Sequence, residues 1–343
     1  MILRGVMSKY TAAFYIVLLG FLSLGLKQPA LKAWQLHGYA QGTTYHILYF
    51  AEDSIIAQSD IDGTLDRIDS EMSMYQPYSQ ISQFNQSATG LLIDSGFQTV
   101  VRKSLEVYRE SGGLFDITVQ PLVEAWVFGA QKVSELPDSA AIRSILRCVG
   151  SDKIHLEGAM LKKEQPCLHI DVNGIAQGYS VDVLASLLER KGIRQYLVEL
   201  GGELRLRGPR PDGQSLSVGI ESPSGNAFDP SSMQQVIHVD QGAITTSGNY
   251  RKFYQSGKRK ISHLINPKTG FPFDNELISV TVWAPDAITA DGYDNVLMGL
   301  GLEKSFEFLK THRQLEAYFI FTRPDGSVHD TASAGFYRFM KHH

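Results

Sequence analysis

Apolar positions recur with two different periods along this chain. QLHGYAQGTTYHILYF (35–50) alternates apolar and polar residues as a strand does, with an interruption at Gly42. IDGTLDRIDSEMSMY (61–75) shifts to helical spacing, and the polar QPYSQISQFNQS after it reads as a loop. FQTVVRKSLEVYRESGG (97–113) predicts an amphipathic helix closed by a glycine pair, a common helix C-terminus. FDITVQPLVEAWVFG (115–129) follows, and residues 131–165 read as a helix-and-turn connection. LHIDVNGIAQGYSVDVLASLLERKG (168–192) predicts a strand, a glycine turn and a helix, and QYLVELGGELRLRG (195–208) two strands around a glycine pair. Further strands are expected near SLSVGIES, QQVIHVD and ISVTVWAP, then a helix from Asp291, a last helix near EKSFEFLKTH, and closing strands from YFIFTRPDG and the tail. Strands follow strands across short turns as often as they alternate with helices. That order predicts an α+β fold with mixed, largely antiparallel sheets and flanking helices.

Composition narrows the function classes. The chain has 343 residues, 43% hydrophobic and 20% charged, which is a globular balance. With 32 Lys and Arg against 36 Asp and Glu, the net charge of −4 argues against a nucleic-acid partner. No internal repeat or low-complexity tract stands out.

The N-terminus departs from this pattern. Arg4 and Lys9 precede the apolar run Thr11 to Leu26, which ends at Lys27 and Pro29. A basic start followed by such a run is the pattern of a secretory signal, and with Met1 to Leu26 the run approaches a membrane span of about 20 residues. Basic residues on the N-terminal side keep that side in the cytoplasm, so the body is expected to be exported. Residues 1–33 therefore read as a signal peptide, cut after Ala30 or Ala33, or as a retained membrane anchor, and residues 34–343 as the exported domain. Cys148 and Cys167 could pair in an oxidising compartment, but the plainer expectation is two separate small apolar residues.

Candidate chemistry concentrates in a few stretches. In ADGYDNVLMGLG (290–301), Asp291 and Asp294 stand three apart with Asn295 behind them, a spacing that shares one helix face. Either the acids cap a helix start, or carboxylate and amide oxygens prepare a hard-cation site, and on this stretch alone capping is the simpler reading. DVNGIAQGYSVD (171–182) is a strand-to-helix glycine turn that could cradle phosphate, but it lacks the glycine spacing of the dinucleotide and P-loop motifs. TTSGNYRKFY (245–254) offers Tyr250 and Arg251, and SHLINPKTGFP (262–272) a single His before a Pro/Gly loop. An acid at Asp116 between Phe115 and Ile117 needs a polar partner if buried.

Taken in order, LFDITVQPLVEAW, DVNGIAQGYSVD, ELGGELRLRG, ITTSGNYRKFY, SHLINPKTGFP and SVTVWAPDAITADGYDN resemble the FAD:protein FMN transferases, the ApbE family, from about residue 36 to the end. The resemblance implies an ApbE-like fold, FAD as substrate, Mg²⁺, and transfer of FMN to a threonine of a membrane redox protein with release of AMP. It implies export to the periplasmic side of the bacterial inner membrane, with a threonine-bearing subunit of a membrane redox complex as acceptor. Mapped residue by residue, it implies a metal site at Gly174, Asp291, Asp294 and Asn295. Flavin contacts map to Gln41, Tyr75, Leu114, Phe115, Asp116, Asp171, Gln177 and Ile265, and the catalytic position to His263. The chain departs from the family pattern at Gln41, Gln80, Gln120 and Gln177. Asn266 replaces the Asp of the D-P-x-T-G turn, and Asn295 replaces a metal-ligand Thr. No Cys closes the N-terminal run, which leaves lipoprotein anchoring unsupported. Two other readings remain open: a pyrophosphatase splitting FAD into FMN and AMP, and a non-catalytic exported flavin-binding protein.

Overall fold

The computed structural model describes residues 30–126, 137–222, 233–249, 253–256, 259–262 and 264–340. The apolar N-terminal run, Tyr250, Arg251 and His263 lie outside the described residues.

The strands are β1 (Lys32–Ala40), β2 (Thr43–Ala51), β3 (Gly90–Leu92), β4 (Ile154–Glu157), β5 (Met160–Lys163), β6 (Tyr196–Leu200), β7 (Glu203–Arg207), β8 (Leu216–Glu221), β9 (Met233–Val239), β10 (Gln241–Gly248), β11 (Phe253–Ser256), β12 (Arg259–Ser262), β13 (Leu277–Ala284), β14 (Glu316–Thr322) and β15 (Val328–Ala332). The helices are α1 (Gln58–Met72), α2 (Gln80–Gln86), α3 (Ser95–Glu110), α4 (Gln120–Ala125), α5 (Ser139–Ile145), α6 (Ala176–Arg190), α7 (Ala287–Leu300), α8 (Leu302–Thr311) and α9 (Tyr337–Met340). Eight strands form one sheet in the order β1-β2-β6-β7-β10-β13-β14-β15, each neighbour antiparallel. The α+β expectation with antiparallel sheets is therefore what the chain builds.

Both faces of this sheet are covered, and the two-residue period of a strand explains how. On β14, Ala317 and Phe319 join a core beneath α1, α3, α6 and α7, while Tyr318 and Ile320 join a second core against β8, β9 and α9. On β6, Tyr196, Val198 and Leu200 face the first core, and Leu197 packs against the second. Burial on two faces turns such strands into nearly continuous apolar runs, as in EAYFIFT.

Four local expectations are corrected. The polar stretch after residue 75 contains α2, because Ser79 caps its start by accepting from Ser82 N at 3.2 Å and Ile81 and Phe84 supply a buried face. The 131–165 connection contains β4 and β5, which pair with each other and, through β5, with β3. Residues 168–172 are extended but belong to no strand, since their main chain docks on the loop before α4, with Asp171 N donating to Ile117 O at 2.7 Å. Cys148 and Cys167 are bonded to each other, with Cα atoms 5.4 Å apart, and are not separate apolar residues. Only the chain fold brings their loops together, so their distance in sequence carried no sign of it.

Among the described residues, no helix is long and apolar enough to cross a membrane.

Candidate active site

The site begins with α7, which starts four residues earlier than its sequence suggests. Asp286 caps it, accepting from Thr289 N at 3.0 Å. Asp182 on α6 accepts from Ala287 N and Ile288 N, both at 2.9 Å, and also binds Arg205 at 2.6 Å. The helix start is thus fully served by two other carboxylates. The expectation that Asp291 and Asp294 open the helix as caps is overturned: they sit in its second turn, 4% and 2% exposed. Of the two readings of this stretch, the oxygen-donor cluster is the one left.

Helix α6 crosses α7 at Gly178, whose N–H donates to Asp291 Oδ2 at 2.7 Å. A Cβ at Gly178 would stand 2.3 Å from Ala287 O and 2.7 Å from Asp291 Cβ, so only glycine permits this approach. Gly178→Ala is expected to destabilise the protein by about 1–3 kcal/mol through forced separation of the helices. Urea denaturation checks it, and an unchanged midpoint would contradict the close-crossing argument.

Asn295 stands next to both acids. Its Nδ2 donates to Asp294 Oδ1 at 2.9 Å, Asp291 O at 3.0 Å and Gly174 O at 3.2 Å, and its Oδ1 accepts from Ser247 Oγ at 3.3 Å. Gly174, Asp291, Asp294 and Asn295, the four residues expected to hold a metal, thus adjoin one another, with Asp291 reaching the amide through its main-chain carbonyl while its carboxylate bonds the Gly178 N–H. Burial pushes the Asp291 carboxyl up to about 7. Burial, and then the charge of Asp291, pushes Asp294 well above its ordinary value. Asp182, half-buried, has Arg205, but no cation of the described residues pairs with Asp291 or Asp294. Thr245, 0% exposed beside Asp294, eases that charge, yet its Oγ1 lacks a partner at hydrogen-bonding geometry.

These observations fit a hard divalent cation. Among the described residues, no three His, Cys, Asp or Glu side chains form a metal cluster. The donors present are two carboxylates, a main-chain carbonyl, an amide and hydroxyls, the oxygen set that Mg²⁺ or Ca²⁺ takes. Two buried acids with no cation of the described residues beside them are costly without a positive partner.

The cluster opens on a cavity of about 740 Å³, toward the upper end of the ~300–1,000 Å³ usual for ligand pockets. On β10, Gln241 to Ile244 pair with β7, whereas Ala243 to Gly248 pair with β13. Thr245 to Gly248 thus run past the start of β7 and leave a notch in the sheet. The cavity is lined at the notch by Gly201, Gly202, Glu203, Thr246, Ser247 and Gly248, and it touches both cores. Residues of opposite sheet faces share one ligand space for this reason.

Of the expected flavin contacts, Tyr75, Leu114, Phe115, Asp116, Asp171, Gln177 and Ile265 line this cavity. Tyr75 is 78% exposed at the rim, whereas Phe115 is buried against Gly174. Gln177 lies over the β6–β7 turn: a Cβ at Gly201, where φ is +63°, would stand 2.1 Å from its Nε2. Asp116 is a scaffold residue. It accepts from Thr118 N, Thr118 Oγ1, Ser151 Oγ and Ser151 N at 2.8, 2.6, 2.6 and 3.1 Å, while burial raises its carboxyl. Asp171, enclosed by protein but facing the cavity, is likewise raised by burial and accepts from Asn173 N at 2.8 Å. Asn266 keeps the turn its aspartate counterpart would make, since Oδ1 accepts from Lys268 N at 2.9 Å.

Gln41 is not among the residues that line this cavity. It stands one layer behind the wall, at a positive φ of 52° in the β1–β2 turn, and its side chain is engaged by Ser180 Oγ at 3.1 Å and by Asp69. The sequence reading also missed the β8 wall (Ser217 to Glu221) and the pair Gln120 and Glu124, bonded at 2.5 Å. β8 alternates like any strand, so nothing in it signalled a cavity. Gln120 was visible only as a departure from the family pattern.

The chain and its fold have known counterparts. Residues 41–319 match the ApbE family. The chain belongs to it. This ApbE-family chain is 35% identical over 326 residues to the FAD:protein FMN transferase of Vibrio cholerae, covering 93% of this chain and 96% of that one. It is 34% identical to the FAD:protein FMN transferase of Haemophilus influenzae, covering 91% and 93%. Among solved structures, the flavin transferase ApbE from Vibrio cholerae superposes with a TM-score of 0.81 at 35% identity, over 90% of this chain and 99% of that one. The apo flavinyl transferase ApbE of Pseudomonas stutzeri gives 0.82 at 28% identity, over 92% and 99%. The ApbE fold expectation is therefore met.

Proposed function

We propose that this protein is an FAD:protein FMN transferase that moves FMN from FAD to a threonine of a membrane redox protein and releases AMP. The observation that carries the proposal is the pair of buried carboxylates, Asp291 and Asp294, which no cation of the described residues pairs with and which open on a cavity of about 740 Å³. In the reaction, the threonine oxygen bonds to the FMN-side phosphorus, and the bond from that phosphorus to the bridging oxygen breaks. AMP leaves with the bridging oxygen. The threonine proton passes to a base, for which the sequence offers His263. Such transfers depend on charge neutralisation and in-line placement more than on covalent help. A divalent cation, Mg²⁺ in this reading, would be held by Gly174 O, Asp291, Asp294 and Asn295 and would neutralise charge on the pyrophosphate. Phe115 in the wall and Tyr75 at the rim offer aromatic surface to the flavin or adenine rings.

The Cys148–Cys167 bond supports export to an oxidising compartment, in this reading the periplasmic side of the inner membrane, reached through the N-terminal segment. The test is AMP release from FAD by the purified protein, with Mg²⁺ or EDTA, with and without a threonine-bearing flavoprotein acceptor. Mg²⁺-dependent AMP together with covalent flavin on the acceptor is the expected result. AMP with FMN left free in solution would support the pyrophosphatase instead, and bound FAD with no AMP would support a carrier.

A further inference from the structure

We propose that Asn295 is a cation-responsive amide switch that sets how tightly this chain binds its divalent ion. The inference rests on the metal reading above and goes beyond it. Three oxygens converge on Asn295 Nδ2: Asp294 Oδ1, Asp291 O and Gly174 O, at 2.9, 3.0 and 3.2 Å. All three are acceptors, so without a cation only the NH₂ end of the amide can face them. In that orientation the amide performs part of an ion's work, drawing the α7 carboxylate and the turn before α6 toward a single donor.

An ion arriving at Asp294 and Gly174 needs the opposite end of the amide. A half-turn about the Cβ–Cγ axis brings Oδ1 to the ion and sends Nδ2 to Ser247. Ser247 Oγ, which donates to Oδ1 at 3.3 Å in this structure, can accept from Nδ2 after the turn, because a hydroxyl is both donor and acceptor. The outer partner is therefore satisfied in both states, and the choice between them falls to the ion. Each binding event must first break the amide's own contacts with the ligand oxygens, which lowers apparent affinity. A threonine at this position has no NH₂ to compete with the ion.

The experiment compares the wild-type protein with Asn295→Thr by Mn²⁺ binding, read by electron paramagnetic resonance, and by thermal melting with EDTA or Mg²⁺. Asn295→Thr is expected to bind Mn²⁺ about tenfold more tightly, the scale on which residues around a metal tune its affinity. It should also melt lower in EDTA and gain more on adding Mg²⁺. Ser247→Ala is expected to leave Mn²⁺ affinity close to that of the wild type, since the amide loses its bond to Ser247 Oγ in both orientations, and a shift as large as that of Asn295→Thr would overturn the equal pairing of the two states. Equal Mn²⁺ affinity in wild type and Asn295→Thr would overturn the switch while leaving the metal site standing. Absence of Mn²⁺ binding in both would overturn the metal reading and the switch with it.

Discussion

Asp291→Ala is expected to lower Mg²⁺-dependent AMP release from FAD by at least ~100-fold, beyond the range seen when only a supporting partner of a metal ligand is lost. The carboxylate is 4% exposed, is fixed by the Gly178 N–H at 2.7 Å, and among the described residues has no cationic neighbour to take over its role. The metal-free variant should fold at least as readily as the wild type, because it sheds a buried acid whose ionised form burial disfavours. Loss of activity without loss of stability separates a ligand from a structural residue. Thermal melting beside the AMP assay reads both. Undiminished AMP release in Asp291→Ala would remove Asp291 from the metal site.

Replacing both cysteines by serine is expected to destabilise the protein by about 3 kcal/mol, the loop-closure value for the separation of 19 residues. The effect should reach the cavity. Cys148 leads directly into Gly150 and Ser151, where Gly150 N donates to Thr118 Oγ1 at 2.6 Å and Ser151 holds Asp116. Cys167 leads into the extended segment that carries Asp171, itself bonded to Ile117 O. The bridge thus clamps the two loops that form the Asp116–Asp171 wall. FAD affinity of Cys148→Ser/Cys167→Ser should fall along with the denaturation midpoint, and the two can be followed by flavin fluorescence and urea titration. A stability loss with unchanged FAD affinity would confine the bridge to a purely global role.

The longer helices and most strands of the main sheet were legible because their signal is local. The alternation of QLHGYAQGTTYHILYF gives β1 and β2, the 3.6-residue spacing before Gly112 and Gly113 gives α3, and the glycine pair 201–202 marks the β6–β7 turn. The site residues were legible through ordered motifs, and all but two of them meet at one cavity. Gln41 stands behind the wall because its amide is taken by Ser180 and Asp69, contacts between segments far apart in the chain. His263 lies outside the described residues.

The amino-acid sequence by itself determined the α+β class, most of the longer elements, and the oxygen-rich residues that gather at the site, since period, turn chemistry and donor type are properties of short stretches. Tertiary structure alone decided what those residues do. It moved the start of α7 back to Asp286 by supplying Asp182 as a second cap from α6, which turned Asp291 and Asp294 from capping candidates into a buried pair. It joined Cys148 to Cys167, and it let β10 run on past the start of β7 so that a cavity could pass between two cores. Each of these outcomes depends on a distance between residues remote in sequence, and such distances are fixed only when the cores pack.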